Sequence, residues 1–190
     1  MISPNLRQIL DRIGPLLNKS VATAILERWD SLPLPEAALG RLEDLVLHYG
    51  MIRGAAAPAL HRKGLVVFCA DQGLVEEGVT GGLADATARD VAQFVRGGAP
   101  AAILCRQYAI DPVIVNIGLA GPHPPGGLDV RCCEGSLNIT KFPALTPEQA
   151  TRGLDTGLAL AAEAAARFDL VGLTCLSAGA PAAAAAVFSA

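Results

Sequence analysis

The run Leu65-Val-Val-Phe-Cys-Ala70 stops abruptly at Asp71, and this break constrains the fold more than any other feature. A short apolar run bounded by a polar turn reads as a strand buried on both faces. Such a strand delivers polar groups to its C-terminal edge, where open α/β sheets hold ligands. An acidic, glycine-bearing turn through Val79 comes next, then a helical segment from about Asp85 to Gln107 interrupted near Gly97-Gly98. Two further β-type runs, 113–117 and 170–175, are set apart by helix-length segments. Strands spaced in this way need crossover connections and therefore pair in parallel. The expected fold is α/β, a three-layer αβα arrangement with a mainly parallel sheet, cut short at Ala190 and preceded by N-terminal helices.

Those helices are expected over 3–29, interrupted at Pro15, and over 39–50, where Leu39, Leu42, Val46 and Tyr49 recur at helical spacing and Gly50 supplies a stop. A Pro-containing link at 30–38 joins them. The expected division is a helical segment 1–50 and an α/β domain 51–190. Thr146-Pro-Glu-Gln149 reads as a helix start, with Thr as cap, Pro in the first turn and Gln placed to close a capping box.

Composition narrows the function. Apolar residues make up 52% of the chain but aromatics only 4%, so the core is built from Ala, Leu and Val. The net charge of −3 and the dispersed arginines leave no clustered positive face for nucleic acid. No apolar stretch is long enough to cross a bilayer, and the start lacks the pattern of a signal peptide. Five cysteines without a regular framework fit reduced thiols, so a cytoplasmic protein is expected. Neither a dinucleotide fingerprint nor a P-loop is present. His48, His61 and His123 are scattered, and the adjacent Cys132 and Cys133 are poorly disposed for a tetrahedral metal. No metal or cofactor is expected. Cys69 and Cys175 lie in strands and read as small core residues.

The order of motifs resembles the nicotinate-nucleotide:dimethylbenzimidazole phosphoribosyltransferases of cobalamin assembly. Asp71-Gln-Gly73, Glu77-Gly-Val79 and Gly97-Gly98 are similar to that family's Asp-His-Gly, Glu-Gly-Val and helix-ending Gly pair. Leu39-Gly-Arg-Leu-Glu43, Val113-Ile-Val-Asn-Ile-Gly118, Gly135-Ser-Leu-Asn-Ile139 and Pro143-Ala-Leu-Thr146 follow in family order, with Asn116 where Asp is usual. The resemblance implies a pentosyltransferase that moves phosphoribose from nicotinate mononucleotide to 5,6-dimethylbenzimidazole, giving α-ribazole 5'-phosphate and nicotinate. It implies as partners a nucleotide, a benzimidazole-type base, and either a second copy of the chain or a complementing second-half chain.

Departures from the family pattern fall at functional places. Gln72 replaces a histidine that could titrate. The family's Ser and Gln that help hold the base fall on Gly82 and Asp90. Around Gly172–Ala180 the family's acidic residue and Asn-Thr-Thr group are missing, and the family's second half, with the glutamate that serves as general base, lies beyond Ala190. Little or no turnover is therefore expected of the chain alone. A non-catalytic nucleotide- or base-binding relative, a regulatory relative and one half of a split enzyme are the alternatives.

The candidate ligand-binding residues are Asp71, Gln72, Gly73, Glu77, Thr80, Gly82, Asp90 and Ser136, and no catalytic residue is assigned. Asp71 either orients a ligand or braces its turn through backbone N–H groups. Glu76 and Glu77 read as solvated loop acids. Gly78, Gly81 and Gly82 either admit a phosphate to backbone amides or simply allow the turn.

Overall fold

The computed structural model describes residues 4–14, 18–35, 37–79 and 85–189. They divide into two compact units, one from Gln8 to Leu60 and one holding the remainder.

The N-terminal part comprises α1 (Pro4–Leu10), α2 (Lys19–Asp30) and α3 (Arg41–Arg53). Asn18 caps α2 by accepting from Val21 N. Helix α3 does not stop at Gly50. It runs on to Arg53 and ends at Gly54, whose φ of 67° is the left-handed cap that glycine favours. Gly50 instead lies where α2 and α3 touch: it is buried, and a methyl group there would collide with Ile25, the buried side chain of α2. The glycine read as a stop is a packing notch.

The second unit begins with β1 (Lys63–Ala70) and a 3-10 turn (Gly73–Glu77), then α4 (Ala86–Val95) and α5 (Pro100–Gln107). It continues with β2 (Ile110–Gly118), β3 (Leu128–Asp129), α6 (Pro147–Arg167), β4 (Leu170–Leu176) and α7 (Ala180–Ser189). The sheet is parallel in the order β3-β2-β1-β4. Its register sets Val66 beside Val113 and Leu173, so the three expected runs are its three long strands.

Strand alternation divides the side chains of β1 between two helical layers. Val67 and Cys69 pack with Val91 and Phe94 of α4 and Ala102 of α5. On the other face, Val66 shares a space with Leu160 of α6 and Phe168, and the Phe168 ring lies over Gly64, where a Cβ would stand 2.5 Å from it. The sheet is thus the middle of three layers. Thr146 and Gln149 form the reciprocal capping box that opens α6.

Two details went unread in the sequence. β2 starts three residues early and includes Pro112, which pairs with Leu65 on β1. A proline is tolerated there because β3 adjoins β2 only at Val115 and Asn116, leaving the other edge free at Pro112. The two-residue β3 was too short to carry an alternating pattern. Cys69 is fully buried, as a core residue should be, but Cys175 is exposed, because β4 is an edge strand paired only with β1. Among the described residues no helix is long and apolar enough to cross a membrane.

Candidate ligand site at the carboxyl edge of the sheet

In a parallel sheet ordered β3-β2-β1-β4, the chain leaves β1 toward β2 on one side and later returns to β1's other side as β4. The crevice outside the carboxyl ends of β1 and β4 is therefore the topological switch point, where ligands of open α/β sheets bind. Asp71, Gln72 and Gly73 enter that crevice directly from β1.

Asp71 is held on three sides. Its N–H donates to Gly118 O (2.9 Å), its C=O accepts from Ser136 N (3.0 Å), and its Oδ2 accepts from Ala120 N (2.9 Å). On the next strand, buried Asn116 accepts from Leu119 N through Oδ1 (2.9 Å), while its Nδ2 has no partner among the described residues. Two side-chain acceptors thus satisfy consecutive N–H groups and fix the sharp exit of β2. The bracing role of Asp71 is plain in this geometry.

Gln72 and Ser136 form an isolated parallel bridge, and Ser136 Oγ donates to Gln72 Oε1 (3.1 Å). Gly73 N donates to Ser136 O (3.0 Å) and meets Ser136 Oγ at 3.3 Å. The 136–138 backbone comes so close that a Cβ on Gly73 would stand 2.5 Å from Asn138 N and 2.7 Å from Ser136 O. This is a close approach that only glycine permits. From the β4 side, Gly179 packs against the Gln72 side chain, and Ala178 N donates to Thr87 Oγ1 on α4 (3.1 Å). Ser177 Oγ, in the same crevice, is shut from solvent without a partner among the described residues.

The acids of the 3-10 turn are exposed yet engaged. Glu77 Oε1 accepts from Asn138 Nδ2 (2.6 Å) and Thr140 Oγ1 (3.2 Å), and Glu76 pairs with Lys141 Nζ (3.0 Å). The Lys141 hydrogen bond lowers the pKa of Glu76, and the Asn138 hydrogen bond lowers that of Glu77. Both remain carboxylates at neutral pH. Lys141 and Thr140 were not read as site residues in the sequence, because a charge in an irregular loop has no periodicity to betray its partner.

Beside Asp71, a cavity of about 360 Å³ opens between α4 and the Pro-rich loop after β2. Val91, Val95, Leu119 and Pro124 wall it, and Asp71, Arg96 and His123 are its ionisable groups. Its lining is mainly apolar with a few polar groups, the usual make-up of a small-molecule pocket. Of the sequence-derived site residues, Asp71, Gln72, Gly73 and Ser136 come together here, with Glu77 at the far end of the 3-10 turn. Asp90 is exposed on α4 and lies outside the cavity lining. Thr80 and Gly82 lie outside the described residues. Among the described residues no cluster of three or more His, Cys, Asp or Glu side chains is arranged to hold a metal.

A parallel sheet covered by helices on both faces, with a glycine-narrowed, hydrogen-bonded crevice at its carboxyl edge, defines the class as an α/β protein. A family profile described as phosphoribosyltransferase matches residues 15–190, and the chain belongs to the nicotinate-nucleotide:dimethylbenzimidazole phosphoribosyltransferase family. The enzyme of that name from Cupriavidus taiwanensis is 37% identical over 158 residues, 82% of this chain and 43% of its own length. The Chloroflexus aggregans enzyme is 33% identical over 161 residues, 84% of this chain and 45% of its own. The crystal structure of the Thermus thermophilus enzyme superposes with a TM-score of 0.76 at 32% identity, covering 84% of this chain and 49% of that one. The chain spans a little under half the length of the relatives it matches.

Proposed function

We propose that this chain contributes the first-half ligand platform for transfer of phosphoribose from nicotinate mononucleotide to 5,6-dimethylbenzimidazole in cobalamin assembly. The observation that carries the reading is the switch-point crevice, where Asp71, Gln72, Gly73 and Ser136 are locked together beside an apolar cavity. The names of the relatives supply the substrates.

The same geometry separates binding from turnover. Deprotonating an azole nitrogen calls for a base whose pKa lies near the working pH. Asp71 already accepts from Ala120 N, and the hydrogen bonds on Glu76 and Glu77 lower their basicity further. Asp71 braces the backbone, and Glu76 and Glu77 stay ionised. The platform then binds ligand, and the proton acceptor comes from the portion that matches the relatives' remaining length, on this chain or on a complementing one.

The test is a chromatographic assay for α-ribazole 5'-phosphate on the purified 190-residue chain, with the Cupriavidus taiwanensis enzyme as control. The expected result is binding of base or nucleotide by calorimetry, with turnover reduced by a factor of about 10²–10⁴ or more, the usual cost of a missing general base. A rate equal to the control sinks the division between binding and turnover. Absence of any binding favours a regulatory relative instead.

The partner is a second copy of the chain. Leu42, Leu45 and Val46 share one face of α3 and are exposed, and helical faces of this kind are hidden in symmetric dimers. A monomeric mass by sedimentation at micromolar concentration removes this part.

A further inference from the structure

Cys132 and Cys133 lie in the loop that leaves β3 and returns to the ligand crevice, and the function proposed above makes no use of their thiols. Their Sγ atoms are 3.9 Å apart, and both are held in place. Cys132 Sγ donates to Ile117 O (3.2 Å), while Cys133 Sγ sits over Gly118, 3.2 Å from where a Cβ would stand. Cys132 is buried and Cys133 half-buried, so the pair has one accessible sulfur and one sheltered one. On the far side of Cys132, Gly153 of α6 leaves out a side chain that would have stood 3.8 Å from the sulfur.

Two adjacent thiols have few chemical uses. Neighbouring Cα atoms are about 3.8 Å apart, inside the usual disulfide minimum of about 4.4 Å, so direct oxidation to an S–S bond is strained. A bridging centre removes that difficulty. With metal–sulfur bonds of about 2.3 Å as a guide, one centre can span sulfurs up to about 4.6 Å apart, which includes this pair. The site supplies two sulfurs and, among the described residues, no third ligand to complete a tetrahedron. It therefore suits a soft centre satisfied by two protein sulfurs.

We propose that Cys132 and Cys133 form a two-thiol capture site for trivalent arsenic. The step balances without an oxidant: an organoarsenic(III) oxide and two thiols give a cyclic dithioarsenite and one water. Two S–As bonds form, the As–O bonds break, and both thiol protons leave with the oxygen, arsenic staying trivalent. Burial, with Cys132 adding to it, pushes the Cys133 pKa up to about 11. That keeps Cys133 protonated and slow toward alkylating agents, whereas capture by two sulfurs at once is driven by ring closure. The Cys133 thiol attacks the arsenic first, and Cys132 then closes the ring by giving up its hydrogen bond to Ile117.

The test mixes the reduced 190-residue protein with one equivalent of phenylarsine oxide and reads the product by native mass spectrometry. A single adduct is expected that survives excess β-mercaptoethanol and is stripped by 2,3-dimercaptopropanol. Trypsin cuts after Arg131 and Lys141, so the arsenic belongs on peptide 132–141, which contains no other cysteine. Cys132→Ala and Cys133→Ala each abolish monothiol-resistant binding, and Cys175→Ala, which removes an exposed thiol, leaves it unchanged. Arsenic found on any other peptide, or a monothiol-resistant adduct in either alanine variant, overturns the proposal. The peptide result holds even where a variant folds poorly, because it is read on the unmodified sequence.

Discussion

The carboxyl ends of β1 and β4 stand side by side in one sheet and could hardly differ more. Beyond β1, the backbone of 71–73 is tied to 118 and 136, and the Asp71 side chain to 120, by hydrogen bonds of 2.9–3.0 Å, and its strand is buried on both faces. β4 is paired along one edge, Leu173 is 73% exposed, and α7 presents Val187 and Phe188 at 77% and 92% exposure. The contrast teaches where this half of the sheet is self-sufficient. At the β1 exit Asp71 N, Asp71 O, Gln72 O and Gly73 N each have a backbone partner, so that end is preorganised; β4 has apolar side chains in the right alternation but little to pack them against.

The sharpest way to break this comparison is Gly73→Ala. The new Cβ would meet the 136–138 backbone, which cannot rotate aside as a side chain can, so a loss of about 3 kcal/mol is expected, read as a fall in the urea midpoint. A loss below half of that would show the β1 exit to be pliable. Ser136→Ala comes next. It leaves the backbone bond to Gly73 but strands Gln72 Oε1, costing about 1–2 kcal/mol, and it should weaken base binding by calorimetry if the crevice is the site. The smallest effect belongs to β4, where Leu173→Ala is expected to change stability by no more than about 0.5 kcal/mol. A loss of 2 kcal/mol or more, like that of a core truncation, would mean that β4 is covered in solution and would erase the contrast.

An acid titration sharpens the same picture at the opposite edge of the sheet. Asp169, just before β4, accepts from the backbone N–H groups of Arg62 and His61 and from the Arg62 side chain. The Arg62 backbone bond, with that side chain, holds its pKa down to about 2, against an ordinary 3.8. A carboxylate depressed on folding stabilises the protein above its unfolded value, and that contribution is lost as pH falls from about 4 through about 2. Asp169→Asn should flatten the decline in thermal midpoint across that window while lowering the midpoint at neutral pH. An unchanged pH profile in the variant would show the link between β1 and β4 at this end to be unimportant.

Much of the fold was legible because burial on both faces leaves a strong mark. The runs 65–70, 113–117 and 170–175 had to be strands, and the helix-length gaps between them required parallel crossovers. The capping box at Thr146 and Gln149 is a purely local device, and it formed as read. The motif order from Asp71 to Pro143 placed the chain in its family before any geometry was known. Gly50 was misread because a helix stop and a packing notch look alike until the neighbouring helix is in place. Cys175 was misread because its pattern speaks of a strand and says nothing about whether that strand is central or at an edge.

The candidate site divides along the same line. The sequence offered Asp71, Gln72, Gly73 and Ser136 as ligand-binding candidates, and the fold brings these four together, Asp71 to Gly73 because the strand that ends in Asp-Gln-Gly announces its own edge. Only the tertiary structure could decide that Gly73 faces the Ser136 backbone, that Glu76 and Glu77 are engaged by Asn138 and Lys141, and that two neighbouring thiols point to one place. Those pairs are separated by about sixty residues of chain, or by a side-chain rotation at adjacent positions. Local pattern carries no record of either, because the energies that fix them arise only when distant backbone segments close on one another.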